Sequence, residues 1–176
     1  MNAVELDNIR YSATMNSPLG QLTLVADACS LQSVRWPSTA IEGSSNDLPI
    51  ASSDHHVINS AIAQLEEYFA GERQVFDLPL DPSGTDFQLE AWLALRAIPF
   101  GTTISYGDQA EKLGDRAKAR AVGSANARNP ISIIVPCHRV VGASGALTGF
   151  AGGLDSKAWL LDHERQALGL GPSKLF

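Results

Sequence analysis

The chain has 176 residues, of which 44% are hydrophobic and 18% charged, with a net charge of -6 and two cysteines. This composition can bury a core and differs from that of a disordered chain. Two cysteines exclude both a disulfide scaffold and a four-cysteine zinc site. No stretch approaches the roughly 18 apolar residues of a membrane span, and the N-terminus lacks a basic stretch followed by an apolar one. We therefore expect a cytoplasmic protein with no membrane partner.

The chain begins with three short stretches that alternate polar and apolar residues, namely 11–15, 21–25 and 31–36. Alternation with a period of two predicts half-buried strands. Ser17-Pro18-Leu19-Gly20 lies between the first two stretches and has the composition of a turn. These stretches together predict an antiparallel meander.

A helix is predicted next, after a polar stretch over residues 37–54 that we interpret as a surface loop. Apolar residues recur at helical spacing from Ile58 to Phe69, and Gly71 is the predicted stop. Residues 75–80 are predicted to form one more strand. A turn at 81–84 is the best candidate for a boundary between two domains. The predicted domains are residues 1–84, an N-terminal α/β domain, and residues 85–176.

The second half of the chain is predicted to be mainly helical. Thr85 and Ser105 are each placed to cap a helix, and Gly114 closes the second of these helices. Asp115 is predicted to cap a further helix over residues 116–128, which Asn129-Pro130 stops. Two helices joined by a tight turn form the outline of a helix-turn-helix, a signal that many other helical pairs share.

Charge is distributed unevenly along the chain. Residues 1–86 hold three basic and twelve acidic side chains, whereas residues 87–176 hold ten basic and seven acidic ones. Six bases lie within 112–139, where Asp115 is the one acid. Such a local excess is typical of a surface that meets phosphates, although a solvated helical face would show the same pattern.

The helix over residues 116–128 carries almost no large side chains. Arg120 is the one long side chain on its small-residue face. A bare helix can approach another surface closely, or it can pack tightly within a core, and the pattern leaves both readings open. The small residues are Ala117, Ala119, Ala121, Gly123, Ser124, Ala125 and Ala127.

The apolar run from 131 to 142 contains Cys137, His138 and Arg139 directly after a proline. A free cysteine in such a run is usually an inert core residue, but a neighbouring histidine and arginine can favour a thiolate. Because adjacent residues rarely face each other, a direct contact of the thiol with His138 is not assured, and a bridging water could connect the two. Glu164 offers a carboxylate to orient the imidazole. One cysteine with scattered histidines is a poor ligand set, so we predict no metal.

The run Pro136-Cys137-His138-Arg139-Val140 resembles the active-site signature of the O6-alkylguanine-DNA alkyltransferases, also called methylated-DNA–protein-cysteine methyltransferases. The resemblance covers almost the whole chain except residues 37–57 and the tail after about 167. It implies an α+β fold with an N-terminal antiparallel sheet and flanking helices, then a helical, winged-helix-like C-terminal domain containing a helix-turn-helix. Further matching segments are Ser17-Pro18-Leu19-Gly20, Ser105-Tyr106, 119–123, Asn129-Pro130, 145–153, Lys157, and Leu160-Leu161 with Glu164.

The resemblance implies direct DNA repair. The alkyl group of O6-alkylguanine, and of O4-alkylthymine, would pass irreversibly to Cys137 from a base flipped out of the duplex, once per protein molecule. The implied activity is that of a methylated-DNA–[protein]-cysteine S-methyltransferase without a cofactor. The implied partner is double-stranded DNA bound through its minor groove, which a helix with small side chains can enter. We expect the protein to be a monomer.

The resemblance also implies roles for individual residues. Cys137 would attack the alkyl carbon, with His138 taking its proton through a water and Glu164 orienting His138. Tyr106 would press on the 3′ phosphate and donate its hydroxyl proton to the leaving base, and Arg120 would fill the gap in the base stack. Asn129 would hold the turn before the active-site strand. The implied substrate-binding residues are Val140, Gly149, Phe150, Ala151 and Gly152, and the implied DNA-binding residues are Tyr106, Ala119, Arg120, Ala121 and Gly123.

Three positions depart from the family pattern. Phe150 stands where the family often has tyrosine, Ala151 where it often has serine, and Arg116 where a proline commonly starts the DNA helix. The loss of a hydroxyl at 151 would leave base contacts there to the backbone amide. Two other functions remain alternatives: a non-catalytic binder of alkylated DNA or DNA-binding regulator, and a cysteine hydrolase that uses Cys137 and His138.

Overall fold

A computed structural model describes residues 9–37 and 49–171 of the chain. The chain divides into two units, Met1–Pro82 and Ser83–Phe176. The predicted loop over 37–54 lies largely outside the described residues, but Ile50–Ala51 forms a short strand that the sequence analysis did not predict. Within the described ranges, none of the helices combines the length and hydropathy needed to cross a bilayer.

The first unit is built on a four-stranded sheet of β1 (Tyr11–Ser17), β2 (Gly20–Ala26), β3 (Leu31–Arg35) and β4 (Ile50–Ala51). The order of the strands in the sheet is β3-β2-β1-β4. The first three strands form the predicted antiparallel meander, and β4 pairs parallel with β1. Ser17 closes the first turn, since its hydroxyl donates to the Gly20 carbonyl at 2.6 Å and Gly20 takes a φ of 102°.

The helix predicted to follow the meander is α1 (His56–Phe69), whose apolar face is buried. The strand predicted over residues 75–80 is wrong, because only an isolated bridge joins Leu80 to Leu31. The Gln64 side chain of α1 bonds both the N–H and the carbonyl of Asp77, each at 2.8 Å. These backbone groups are therefore satisfied by a side chain instead of by a sheet.

Two of the three predicted helix caps of the second unit are confirmed. Thr85 caps α2 (Asp86–Leu95) and Ser105 caps α3 (Tyr106–Lys112), in both cases as a full capping box with the residue three positions on. Asp115 caps only a 3-10 turn, Arg116–Lys118, in which its carboxylate accepts from the Ala117 N–H. The α-helix then runs from 119 to 127, so the helix predicted over 116–128 is correct in place but not in its first turn. We label this helix α4 (Ala119–Ala127).

The last part of the second unit places the apolar run beside α5 (Leu154–Ala167). The short strand β5 (Ile104–Ser105) pairs parallel with β6 (Val140–Val141). A 3-10 turn, Cys137–Arg139, immediately precedes β6 and is buried. All ten residues from 131 to 140 are buried, so the candidate nucleophile lies within the core of this unit.

Candidate active site

Cys137 is the candidate nucleophile, and its side chain is only 5% exposed. Burial raises the pKa of its thiol, while a hydrogen bond from Asn129 and the positive charge of Lys157 lower it in part. Cys29, the other cysteine, is exposed at the surface of the first unit. The two cysteines therefore differ in exposure, and Cys137 has groups beside it that favour a thiolate.

Asn129 holds the turn that leads to Cys137. Its side-chain amide donates to the Val135 carbonyl at 2.8 Å, and its oxygen accepts from the Ile131 N–H at 3.0 Å. Within this turn Ile133 is fully buried and has a φ of 77°, a left-handed conformation that is rare for a β-branched residue. The asparagine thus fixes a strained backbone segment directly before the nucleophile.

His138 is joined to Glu164 by a buried contact of 2.7 Å between Nε2 and Oε1. Burial lowers the pKa of His138 and so favours the neutral imidazole, while Glu164 opposes this shift. Burial alone would raise the pKa of Glu164, but His138 and Arg139 lower it to about 2. Because an ionised carboxylate can only accept, the Nε2 atom carries the proton. Nδ1 is then left as an acceptor, and no described residue makes a hydrogen bond to it.

Arg139 belongs to the same buried network. Its guanidinium approaches the two Glu164 oxygens at 2.9 to 3.2 Å and donates to the Ile98 carbonyl at 2.6 Å. The Gly101 N–H also donates to Glu164, at 2.8 Å. The sequence analysis treated Arg139 as a group that favours the thiolate and as one charge of a basic surface. The structure instead places it in the core as the partner of Glu164.

Lys157 is a site residue to which the sequence analysis gave no role. It is fully buried, and its ammonium donates to the carbonyls of Val140 and Thr148, each at 2.7 Å, and to the Tyr106 hydroxyl at 3.4 Å. Burial lowers its pKa to about 8, and Cys137 opposes this shift. The spacing could have shown the burial, because Lys157 lies one heptad before Glu164 on the face that also carries Leu160 and Leu161.

A cleft of about 380 Å³ lies beside α4 and brings several predicted residues together. The Tyr106 hydroxyl donates to the Thr148 carbonyl at 3.1 Å on one side of it. A Cβ atom added at Gly123 would lie 3.7 Å from the Tyr106 ring, so the small residue leaves the ring accessible. The lining residues are Tyr106, Ala119, Arg120, Gly123, Thr148 and Gly149.

Other residues that were predicted to bind the substrate or DNA lie outside this lining. The Val140 carbonyl already accepts from Lys157, so a base would use its second lone pair. Phe150 is half-buried, and its ring meets His138 edge to face, with 6.4 Å between the ring centroids. Ala121 and Ala151 are exposed, and Gly152 is half-buried.

The basic cluster over 112–139 is less positive than a count along the chain indicates. Arg116 pairs with Asp108 at 3.2 Å and with Glu111 at 2.7 Å, and both acids lie just outside the counted window. Arg139 pairs with Glu164 in the core. Four exposed bases of the cluster remain available to phosphates: Lys112, Lys118, Arg120 and Arg128.

Across residues 9–37 and 49–171, no three histidine, cysteine or acidic side chains are placed to hold one ion. His138, which follows Cys137 in the chain, contacts the buried carboxylate of Glu164, and these are residue types that can take up the proton of a thiol.

Most of the chain is similar to known proteins. Residues 10–82 match the description "6-O-methylguanine DNA methyltransferase, ribonuclease-like domain", and residues 86–166 match "6-O-methylguanine DNA methyltransferase, DNA binding domain". A methylated-DNA–protein-cysteine methyltransferase of Mycobacterium bovis is 47% identical over 152 residues, which are 86% of this chain and 90% of that protein.

Solved structures are similar as well. The crystal structure of Mycobacterium tuberculosis O6-methylguanine methyltransferase has a TM-score of 0.82 and 44% identity, and the match covers 95% of this chain and 98% of that one. A crystal structure of Mycobacterium tuberculosis OGT in complex with DNA has a TM-score of 0.81 and 46% identity, and the match covers 89% and 94% of the two chains.

Proposed function

This chain belongs to the family of methylated-DNA–protein-cysteine methyltransferases, and we propose that Cys137 is the residue that accepts the alkyl group. The activity of the protein is direct DNA repair by transfer of an alkyl group to a cysteine, and DNA is the partner of the protein. The observation that carries the assignment is the buried contact between Glu164 and His138, the residue that follows Cys137. This contact leaves Nδ1 of His138 to accept a proton.

The proposed reaction begins with loss of the thiol proton. A water between the two side chains passes the proton of Cys137 to Nδ1 of His138, and Glu164 stabilises the imidazolium that forms. Lys157 contributes a positive charge beside the thiolate. The sulfur then attacks the alkyl carbon in line, and the bond between that carbon and O6 of guanine breaks. Because the new thioether is not cleaved by ordinary reductants, each protein molecule acts once.

Proton donation to the leaving base is assigned to Tyr106. In the free protein its hydroxyl donates to the Thr148 carbonyl, so it must exchange this acceptor for the base. Burial raises the pKa of Tyr106, which keeps the proton on the hydroxyl until the base leaves. Lys157, 3.4 Å from the same oxygen, then stabilises the tyrosinate that remains.

DNA binding is assigned to α4 and the minor groove. The small side chains of α4 allow its backbone to approach the floor of a narrow groove. Arg120, exposed on the same helix and lining the cleft with Tyr106, fills the gap that a flipped base leaves. The exposed bases around α4 would contact phosphates. We propose that the protein acts as a monomer, and that the cleft accepts O4-alkylthymine as well as O6-alkylguanine.

The assignment is tested by intact-protein mass spectrometry after incubation with methylated duplex DNA. The wild type and the Cys29→Ser variant are expected to gain one methyl group per molecule, and the Cys137→Ser variant none. Transfer that persists in Cys137→Ser would overturn the assignment. A protein that binds the duplex without gaining mass would be a non-catalytic binder, and turnover of ester substrates would indicate a hydrolase.

A further inference from the structure

A buried pair of side-chain amides joins the helices that carry the proposed DNA contacts. Gln109 of α3 and Asn126 of α4 are 0% and 4% exposed. Asn126 Nδ2 donates to Gln109 Oε1 at 2.7 Å, and Gln109 Nε2 donates back to Asn126 Oδ1 at 3.3 Å. Gln109 Nε2 also donates to the Ala91 carbonyl at 3.0 Å. The pair thus links α4 both to α3 and to α2.

Such a pair fixes the orientation of a helix more than it adds to the stability of the fold. Polar groups cost free energy when they are buried, and replacing a fully paired set by apolar residues of similar volume is often neutral or stabilising. Hydrogen bonds, however, weaken steeply outside a narrow range of distance and angle. Apolar contacts have no such directional requirement. A helix that is held by paired amides is therefore fixed in rotation and in register.

Helix α4 depends on directional contacts because it has few side chains that can interlock with its neighbours. Its only buried residues are Val122, Ala125 and Asn126, and no side chain caps its N-terminus. Ridges of large side chains normally set how two helices pack, and α4 lacks them. The Trp92 indole, which donates to the Ala125 carbonyl at 2.9 Å, is the second directional contact at this end of the helix.

The amide pair also lies between the two ends of the proposed machinery. Asn126 follows Arg120 by six residues and precedes Asn129 by three. Arg120 is the proposed finger in the duplex, and Asn129 holds the turn before Cys137. A rotation or shift of α4 at Asn126 would displace Arg120 relative to the nucleophile.

We propose that Gln109 and Asn126 are positioning residues that hold α4 in the orientation required for repair of duplex DNA. The proposal rests on the assignment of α4 as the DNA helix. Transfer from a free base to Cys137 needs neither the duplex nor Arg120, so it does not depend on this orientation. The amide pair therefore affects the preference between duplex and free-base substrates and leaves the chemical step unchanged.

The test is the double variant Gln109→Met/Asn126→Leu, which removes both amides together and, apart from the Ala91 carbonyl that Gln109 also bonds, leaves no partner of the pair unpaired. Its melting temperature is expected to equal or exceed that of the wild type, and its rate with free O6-benzylguanine is expected to be unchanged. Its rate with an O6-methylguanine duplex is expected to fall roughly 10- to 100-fold, the loss that a misplacement of about 1 Å produces. Gln166→Met, which removes an exposed amide of α5, is the matched control.

Three outcomes would overturn the proposal: an unchanged duplex rate, equal losses on both substrates, or an equal loss in the control. If the double variant does not fold, the single variant Gln109→Met is judged by the same ratio of duplex to free-base rate, at a temperature where it is folded. Failure of the proposed function is distinguishable, because the wild type would then show no transfer to Cys137 from either substrate.

Discussion

Replacing Glu164 by glutamine tests the buried network that surrounds the nucleophile. The change keeps the size of the side chain but removes the negative charge, and Arg139, only 5% exposed, loses its counter-ion. Breaking a buried ion pair by removing one partner costs about 3–5 kcal/mol. The shift in the pKa of Glu164, from 4.5 to about 2, reflects the same contacts with His138 and Arg139 and corresponds to about 3 kcal/mol. We therefore expect the variant to be markedly less stable.

The expected signal is a fall in melting temperature of about 6–20 °C at pH 7, because 1 kcal/mol shifts the midpoint of a chain of this size by about 2–4 °C. The pKa of Glu164 is lower in the folded than in the unfolded state, so the carboxylate stabilises the fold above pH 4.5. This contribution is lost as the pH falls from 4.5 towards 2. The difference between wild type and variant must therefore shrink between pH 7 and pH 3.

The same variant probes the proton relay, provided that rates are measured where it is folded. Loss of an orienting carboxylate is expected to slow transfer to Cys137 by about 100-fold at pH 7, within the usual range for general base catalysis. Raising the pH should restore part of the rate, because hydroxide then ionises the thiol directly. Glu90→Gln, which changes an exposed carboxylate in the same unit, is the control for calorimetry and for kinetics. An unchanged melting temperature would refute the ion-pair argument, and an unchanged rate would remove Glu164 from the relay.

Three further predictions concern the helix, the lysine and the product. Arg120→Ala should slow repair of duplex DNA more than reaction with free O6-benzylguanine, since only the duplex requires flipping; equal losses would mean that Arg120 supports the fold or the pocket instead. Lys157→Met should slow transfer at pH 7. It should also abolish a decline in the wild-type rate above about pH 8, where Lys157 loses its charge; superimposable pH–rate profiles would contradict its role. Benzylation of Cys137 should lower the melting temperature, because overpacking a filled site costs roughly 1–3 kcal/mol. The measurement is calorimetry before and after stoichiometric reaction. A melting temperature that is unchanged or higher after benzylation would show that the pocket holds the product without strain.

Local signals in the sequence predicted the local structure well. The capping boxes at Thr85 and Ser105 use a residue only three positions away, so the pattern alone contains the interaction. The three meander strands follow from alternation in the same way. The strand predicted over 75–80 failed because its backbone partner is Gln64, a side chain 13 residues before Asp77. The segment 75–80 therefore does not include the residue that satisfies its backbone.

The site was predictable in its residue types and not in its electrostatics. The sequence marked His138 and Glu164, and the structure joins them across 26 residues of chain. The sequence could not show that Arg139 is buried against Glu164. Nor could it show that Arg116 pairs with acids outside the residues 112–139 that were counted as the basic cluster. Lys157 was quoted only as part of a motif, because its importance depends on carbonyls that other segments bring to it.

The left-handed backbone of Ile133 sets a limit on how far this protein can be stabilised by substitution. Glycine would relieve a conformational strain of about 1–3 kcal/mol. The isoleucine side chain is fully buried, however, and truncating such a side chain leaves a cavity that costs about 2–5 kcal/mol. Glycine also has more conformational freedom to lose on folding. The losses outweigh the gain, so a consensus or computational redesign that scores backbone geometry alone would choose the wrong residue four positions before the nucleophile.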